Sequence, residues 1–307
     1  MRFRATIVNV RLLMRLCNAV SKVQKECVLL VSPGTVKIIV ETTISDGTSV
    51  WASMPTKALF DISTIKSATD NAIALRLNAE LLEKAAKSGE SAQTVTVRLR
   101  KRDSFPVLSF TAEIFAPQPI TVTQDVRCIA LGARAIEALA EPDIPQPDSA
   151  IFLPELKQFR NVIEHLSHIA EQLTLTVSSD GVFTLEASTP GVTVAATYNC
   201  VPFSFSNASS AASSVVSSAV PSQLDGASAA PPAAAAATGD DQVGTPPVSA
   251  RRNFTATVAA PKLLKFLPCA GLKPERVMCC IVEQNSVVMH AVIGDVTVTY
   301  YIPVLCS

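Results

Sequence analysis

Aromatic rings are scarce in this chain, with one tryptophan, three tyrosines and twelve phenylalanines among 307 residues. A surface that holds single-stranded nucleic acid by base stacking is therefore not expected. Glycine is thin as well, at eleven residues, and neither GxxxxGKS/T nor GxGxxG occurs, which removes the common phosphate loops of nucleotide-binding enzymes. There is no GxSxG elbow, no protease-like cysteine context, and no pair of carboxylates that stands out from ordinary surface placement. Three histidines and eight cysteines offer no CxxC and no HxxxH. His165 and His168, three apart on a helix, can share a ligand, but a closed zinc site needs four and nothing at matched spacing joins them. Adjacent strand residues point to opposite faces, so Cys279 and Cys280 read as core. The expectation is a non-enzymatic protein with no cofactor and no metal.

Charge of one sign is also missing. Lys+Arg and Asp+Glu both number 26, so nucleic-acid binding would need charge segregated onto one face. No stretch reaches the roughly 18 apolar residues of a membrane span, and MRFRATIVNV lacks the unbroken apolar run of a signal peptide. A soluble chain with reduced, mostly buried thiols and no membrane partner is expected.

What the chain does have is apolar residues (48%) with few charges (17%), the composition of a β-rich globular protein, and a length suited to two domains. Two interruptions stand out. From about Ser204 to Ala250, Ser, Ala and Pro dominate, and so few large apolar side chains cannot offset ordering entropy, so a disordered insertion at about 204–250 is expected. The other is EPDIPQPD, Glu141–Asp148, whose three prolines favour an extended connector. On either side of it the same signals follow in order: a strand, a long amphipathic helix, alternating strands, a short helix and more strands. The long helices are expected at about Val10–Lys25 and Glu155–Glu171, the short ones from Ala79 and Ala260. Aligning the long helices offsets the halves by about 145 residues, and aligning Leu81-Leu82 with Leu263-Leu264 by 182. The surplus of about 37 is what the Ser/Ala/Pro segment would add to a duplicated chain.

At about 100° per residue, Arg11, Arg15, Lys22 and Lys25 fall within about 40° of one line on the first long helix, opposite Leu12, Leu13, Leu16, Val20 and Val23. The second long helix repeats this more weakly with Lys157 and Arg160, diluted by Glu164. The short helices add Lys84 with Lys87 and Lys262 with Lys265, each pair three apart. Helices with cations opposite their apolar faces suit sequence-independent contact with phosphates. The run Arg98, Arg100, Lys101, Arg102 has the composition of a nuclear import signal, but its alternation before SFPVLSF reads as a hairpin tip.

MRFRATIV, TSVWASMPTKALF, SAIFLPELKQFRNVIEHLSHIAEQL and VTVTYYIPVL resemble the Hus-type subunit of the nine-one-one checkpoint clamp, a family of the sliding-clamp superfamily alongside the proliferating-cell clamp. The resemblance spans nearly the whole chain apart from the insertion. It implies an α+β sliding-clamp fold of two similar domains with outer antiparallel sheets and inner helices: a first domain over 1–131, a connecting loop over 132–148, and a second domain over 149–307. It implies a non-enzymatic, nuclear heterotrimer with two sister subunits, placed around duplex DNA by an ATP-driven loader and recruiting checkpoint and repair proteins. The helices that carry the ten cations named above would then line the hole. Neighbours would join through edge strands at Thr121–Ala130 and Gly191–Cys200, with Val122, Val126, Cys128, Val192, Val194 and Ala196 at the interface. Partners would use the loop at Ile136, Leu139 and Ile144. The alternatives are a homotrimeric processivity clamp, an enzyme using a cysteine or histidine, and an adaptor that never meets DNA.

Overall fold

Strand alternation and helical periodicity build the expected elements twice over. The computed structural model describes residues 1–42, 47–115, 118–203 and 252–305. The Ser/Ala/Pro insertion lies outside the described residues. The first half runs β1 (Arg2–Ile7), α1 (Val10–Ser21), β2 (Glu26–Val31), β3 (Thr35–Val40), β4 (Ser49–Pro55), α2 (Thr56–Leu59), β5 (Phe60–Lys66), β6 (Ile73–Asn78), α3 (Ala79–Ser88), β7 (Thr94–Arg102), β8 (Phe105–Phe115) and β9 (Pro119–Ala130). The connecting segment forms one short helix, α4 (Ala133–Glu137), before its proline-rich stretch. The second half follows with β10 (Ser149–Phe152), α5 (Leu156–Ser167), β11 (Gln172–Ser178), β12 (Val182–Thr189), β13 (Val192–Asn199), β14 (Val201–Pro202), β15 (Asn253–Ala259), α6 (Ala260–Leu264), a 3-10 segment at Leu267–Leu272, β16 (Arg276–Val282), β17 (Ser286–Ile293) and β18 (Val296–Pro303).

The order repeats, as the duplication predicts, with β10 standing for β1, α5 for α1, α6 for α3, and β16, β17 and β18 for β7, β8 and β9. Both long helices are shorter than expected. α1 stops at Ser21 with Lys22 as its C-cap, so Lys25 lies beyond the helix and does not share its face. α5 ends at Ser167.

Two sheets carry the strands. Fourteen run in the order β14-β10-β16-β17-β18-β4-β3-β2-β6-β9-β8-β7-β1-β5, and four in the order β13-β12-β11-β15. The halves join where β18 pairs antiparallel with β4, Thr299 opposite Trp51 and Tyr300 opposite Val50. All helices except α4 pack on one side of these strands. Leu13, Leu16, Cys17 and Val20 of α1, Leu82 of α3, Phe159 and Ile163 of α5 and Leu263 of α6 share one apolar core with the inward residues of both halves. Burying each of these large side chains contributes about 1.5–3 kcal/mol. A second, small cluster of Val28, Ile39, Trp51, Ala74 and Leu131 lies on the other face. Gly181 turns β11 into β12 at φ +85°, where any Cβ would collide with the Cys200 carbonyl. That close approach holds the end of β13 against the turn, with Cys200 N–H donating to the Gly181 carbonyl at 2.8 Å.

Among the described residues no helix is long and apolar enough to cross a membrane.

Candidate nucleic-acid interface

The helices lie side by side over the shared apolar core. α1 lies against α3 and against the 3-10 segment after α6, and α5 touches α6 and the same segment. Two of the helices, α1 and α3, are fixed locally: Asn9 Oδ1 accepts from the Leu12 N–H at 2.9 Å and Asn78 Oδ1 from the Leu81 N–H at 3.1 Å, caps that satisfy first-turn donors. Lys22 at the C-cap of α1 sits where the helix dipole favours a cation.

With the apolar sides buried, the cations face outward. Arg11, Arg15, Lys22, Lys25, Lys84, Lys87, Lys157 and Arg160 are exposed, while Lys262 and Lys265 are half-buried. Lys22, Arg160 and Lys265, from three different helical segments, line one shallow hollow with Asn18. Arg15 and Lys87 line the next, together with Glu83 and Glu90. The face is therefore less uniformly basic than α1 alone predicts. Glu90 lies 3.7 Å from Arg11, Glu164 takes Arg160 at 2.7 Å, and Glu83 accepts from Asn18 at 2.9 Å. The two exposed ion pairs are worth about 0.2–1 kcal/mol each, too little to keep their cations from a competing anion.

Two strands, β13 and β9, keep a free edge among the described residues. Among the described residues β13 pairs only with β12, and β9 pairs only with β8 along Pro119–Arg127, turning to β6 at its end. Val192 and Val194 are 53% and 37% exposed, and Ala196 is half-buried. On β9 the side-chain assignment needs correcting. Val126 and Cys128 are only 1% and 5% exposed, and Val122 packs against the core. Period two turns all three inward and leaves Thr121, Thr123, Arg127 and Ile129 facing out.

The connecting loop also differs from expectation. Ile136 and Leu139 pack down onto the cluster around Trp51 and Tyr301, and the Tyr301 hydroxyl donates to Glu141 at 2.6 Å. Ile136 and Leu139 fasten the loop to the sheet before they offer anything to a partner; Ile144 is half-buried. Trp51 and Tyr301, which carry this attachment, appear in the sequence only as members of two resembling segments.

Among the described residues, burial pushes the thiols of Cys27, Cys269 and Cys280 up to about 12 and Cys128 to about 11, and raises those of Cys17 and Cys279 as well, the opposite of the lowered pKa a reactive cysteine requires. Buried His290 is held below its usual range by desolvation and shares a 2.9 Å hydrogen bond with Thr299.

Comparison with known proteins adds the lineage. The family model described as Hus1-like protein matches residues 1–306. The chain is 26% identical to the checkpoint protein hus1 homolog of Dictyostelium discoideum over 99% of both chains, and 26% identical to the checkpoint protein HUS1 of Homo sapiens over 99% of this chain and all of that one. In shape it is similar to the crystal structure of proliferating cellular nuclear antigen from Entamoeba histolytica, with a TM-score of 0.65, 13% identity and 99% of each chain covered. With its two halves, outer sheets and inner helices in the arrangement of a sliding clamp, the chain belongs to the Hus1-like protein family.

Proposed function

We propose that this chain is one subunit of a heterotrimeric checkpoint sliding clamp that encircles duplex DNA and serves signalling and repair proteins without catalysing a reaction itself. The observation that carries the reading is the duplication. Within the chain, β18 of the second half pairs with β4 of the first. Their counterparts, β9 and β13, each keep an edge without a strand partner among the described residues. A β9-to-β13 junction between chains repeats the β18-to-β4 junction within a chain, and such repetition closes into a ring. The helices lie on one side of every junction, so the cations of α1, α3, α5 and α6 face a common centre. Sequence-independent phosphate contact is what Lys and Arg on such a surface provide.

In this reading a loader driven by ATP opens and closes the ring on nuclear DNA, and the first half ends near residue 131 with the connecting loop over 132–148. The test is the mass in solution of the full chain, alone and after co-expression with two candidate sister subunits of the same fold. A complex with one copy of each is expected. A stable homotrimer of the chain alone would overturn the reading in favour of a self-assembling processivity clamp.

A further inference from the structure

The sheet that backs the helices of the first half carries a second basic surface on its opposite face. β7 pairs with β1 and β8, β1 with β5, and β8 with β9. Phe3, Ala5, Val95, Val97, Leu108 and Phe110 turn into the core, so by alternation Arg2, Arg4, Arg98 and Arg100 turn away from it. Arg2, Arg4, Arg100 and Arg127 are exposed and Arg98 is half-buried.

The register opposes like charges. Arg4 stands directly across from Arg98, and Arg2 directly across from Lys66. Directly opposed like charges destabilise a strand pair, yet one occurs on each side of β1, Arg2 with Lys66 of β5 and Arg4 with Arg98 of β7. Arg98 adds a second sign: its Nε is buried and has no hydrogen-bond partner among the described residues, a costly state for a charged donor. The carboxylate within this face is engaged through one oxygen, while its Oδ1 is buried without a hydrogen-bond partner among the described residues and Arg100 acts on it electrostatically. Asp125 holds Arg102 at 2.6 Å, and Ser109 and Arg102 keep its carboxyl below the usual range. Glu113 and Asp61 lie toward the margins, on β8 and β5. None of Arg2, Arg4, Lys66, Arg98 or Arg100 has an ion-pair partner among the described residues.

We propose that this face, centred on Arg4 and Arg98, binds a phosphorylated serine or threonine peptide of a partner protein. A phosphomonoester carries about −1.5 to −2 charge and three acceptor oxygens at neutral pH, so one group answers two opposed guanidiniums where a carboxylate or a phosphodiester brings a single charge. Guanidiniums suit bidentate phosphate contact. Arg98 and Arg100 lie about 6.6 Å apart along the strand, the repeat of an extended peptide with phosphates two residues apart. Single-stranded nucleic acid fits less well. Of the exposed rings on this side, Phe105 is already covered by Arg127 at 5.5 Å and Phe115 stands at the far end of β8, so successive bases have no row of rings to stack on.

The test is fluorescence anisotropy on the full chain with three labelled probes: a Gly/Ser peptide carrying two phosphoserines two residues apart, its unphosphorylated twin, and a single-stranded DNA oligonucleotide. The phosphopeptide is expected to bind saturably and the twin not to bind. The double variant Arg4→Gln, Arg98→Gln should weaken the phosphopeptide about tenfold or more without lowering the thermal midpoint, since it removes an opposed pair. Changing Arg15 and Lys22 to Gln on the helices should leave this binding intact, which separates the face from the DNA reading. Equal binding of the unphosphorylated twin, or no loss in the Arg4/Arg98 variant, would overturn the proposal. DNA bound more tightly than the phosphopeptide through the same arginines would overturn it too, and make the face a nucleic-acid surface.

Discussion

Cys27 shows how single residues tie stability to pH. Its thiol lies in the core beneath β2, where burial raises its pKa from the ordinary 9.0 to about 12, and Cys280 on β16 is raised to about 12 for the same reason. A folded pKa above the unfolded one means that the stabilisation is complete below pH 9 and is lost as pH climbs toward 12, because only the unfolded chain gains by releasing the proton. At pH 10 each such thiol withdraws about 1.4 kcal/mol relative to neutral pH. The urea midpoint should therefore hold steady to about pH 8.5 and fall beyond it, and the fall should be shallower in the Cys27→Ala, Cys280→Ala variant. A native midpoint unchanged at pH 10 would show that these thiols are not buried as described.

At the scale of elements, β9 and β13 separate what the sequence discloses from what only pairing discloses. That two strands lie there follows from the alternation in TVTQDVRCIA and VTVAATYN, and that they form edges was expected from the family resemblance. The orientation of β9 was also open to reading: Val122, Val126 and Cys128 share one parity, and on a strand backed by helices the apolar parity faces the core. The contact of Arg11 with Glu90 and the opposition of Arg4 to Arg98 were not legible, because each depends on the register or packing of elements some 80 to 95 residues apart in the chain. The early end of α1 was not legible, since Val23 continues the apolar face of the helical pattern and is buried although the helix has already ended at Ser21. These differences dictate the right substitutions for testing the edges. Val192→Glu with Val194→Glu places charges on exposed positions of β13 and should abolish assembly with the sister subunits while shifting the thermal midpoint by only about 2 °C or less. Val126→Glu should instead lose more than about 3 kcal/mol of stability, because it buries an unpaired carboxylate. Normal complexes from the β13 variant, by size-exclusion chromatography after co-expression, would show that the ring closes through other surfaces.

The whole molecule has no net charge, so its attraction to DNA depends on where the 26 cations stand rather than on their number. Arg15 and Lys22 on α1 and its cap, Arg160 on α5 and Lys265 beyond α6 lie around adjoining hollows on the helix side. They belong to both halves, and neither half alone provides the set. Phosphate contacts act through counterion release, each lowering the slope of log K against log salt by about 0.9 on duplex DNA. Replacing all four by Gln should therefore flatten that slope by as much as about 3 to 4 for the assembled ring on a short linear duplex, with no dependence on base sequence and no change in assembly. Glutamine is chosen over glutamate because Glu83, Glu90 and Glu164 already share the face, and further acids would add repulsion unrelated to the lost contacts. An unchanged salt slope in the assembled quadruple variant would place DNA elsewhere and leave these four residues as ordinary solvated charge.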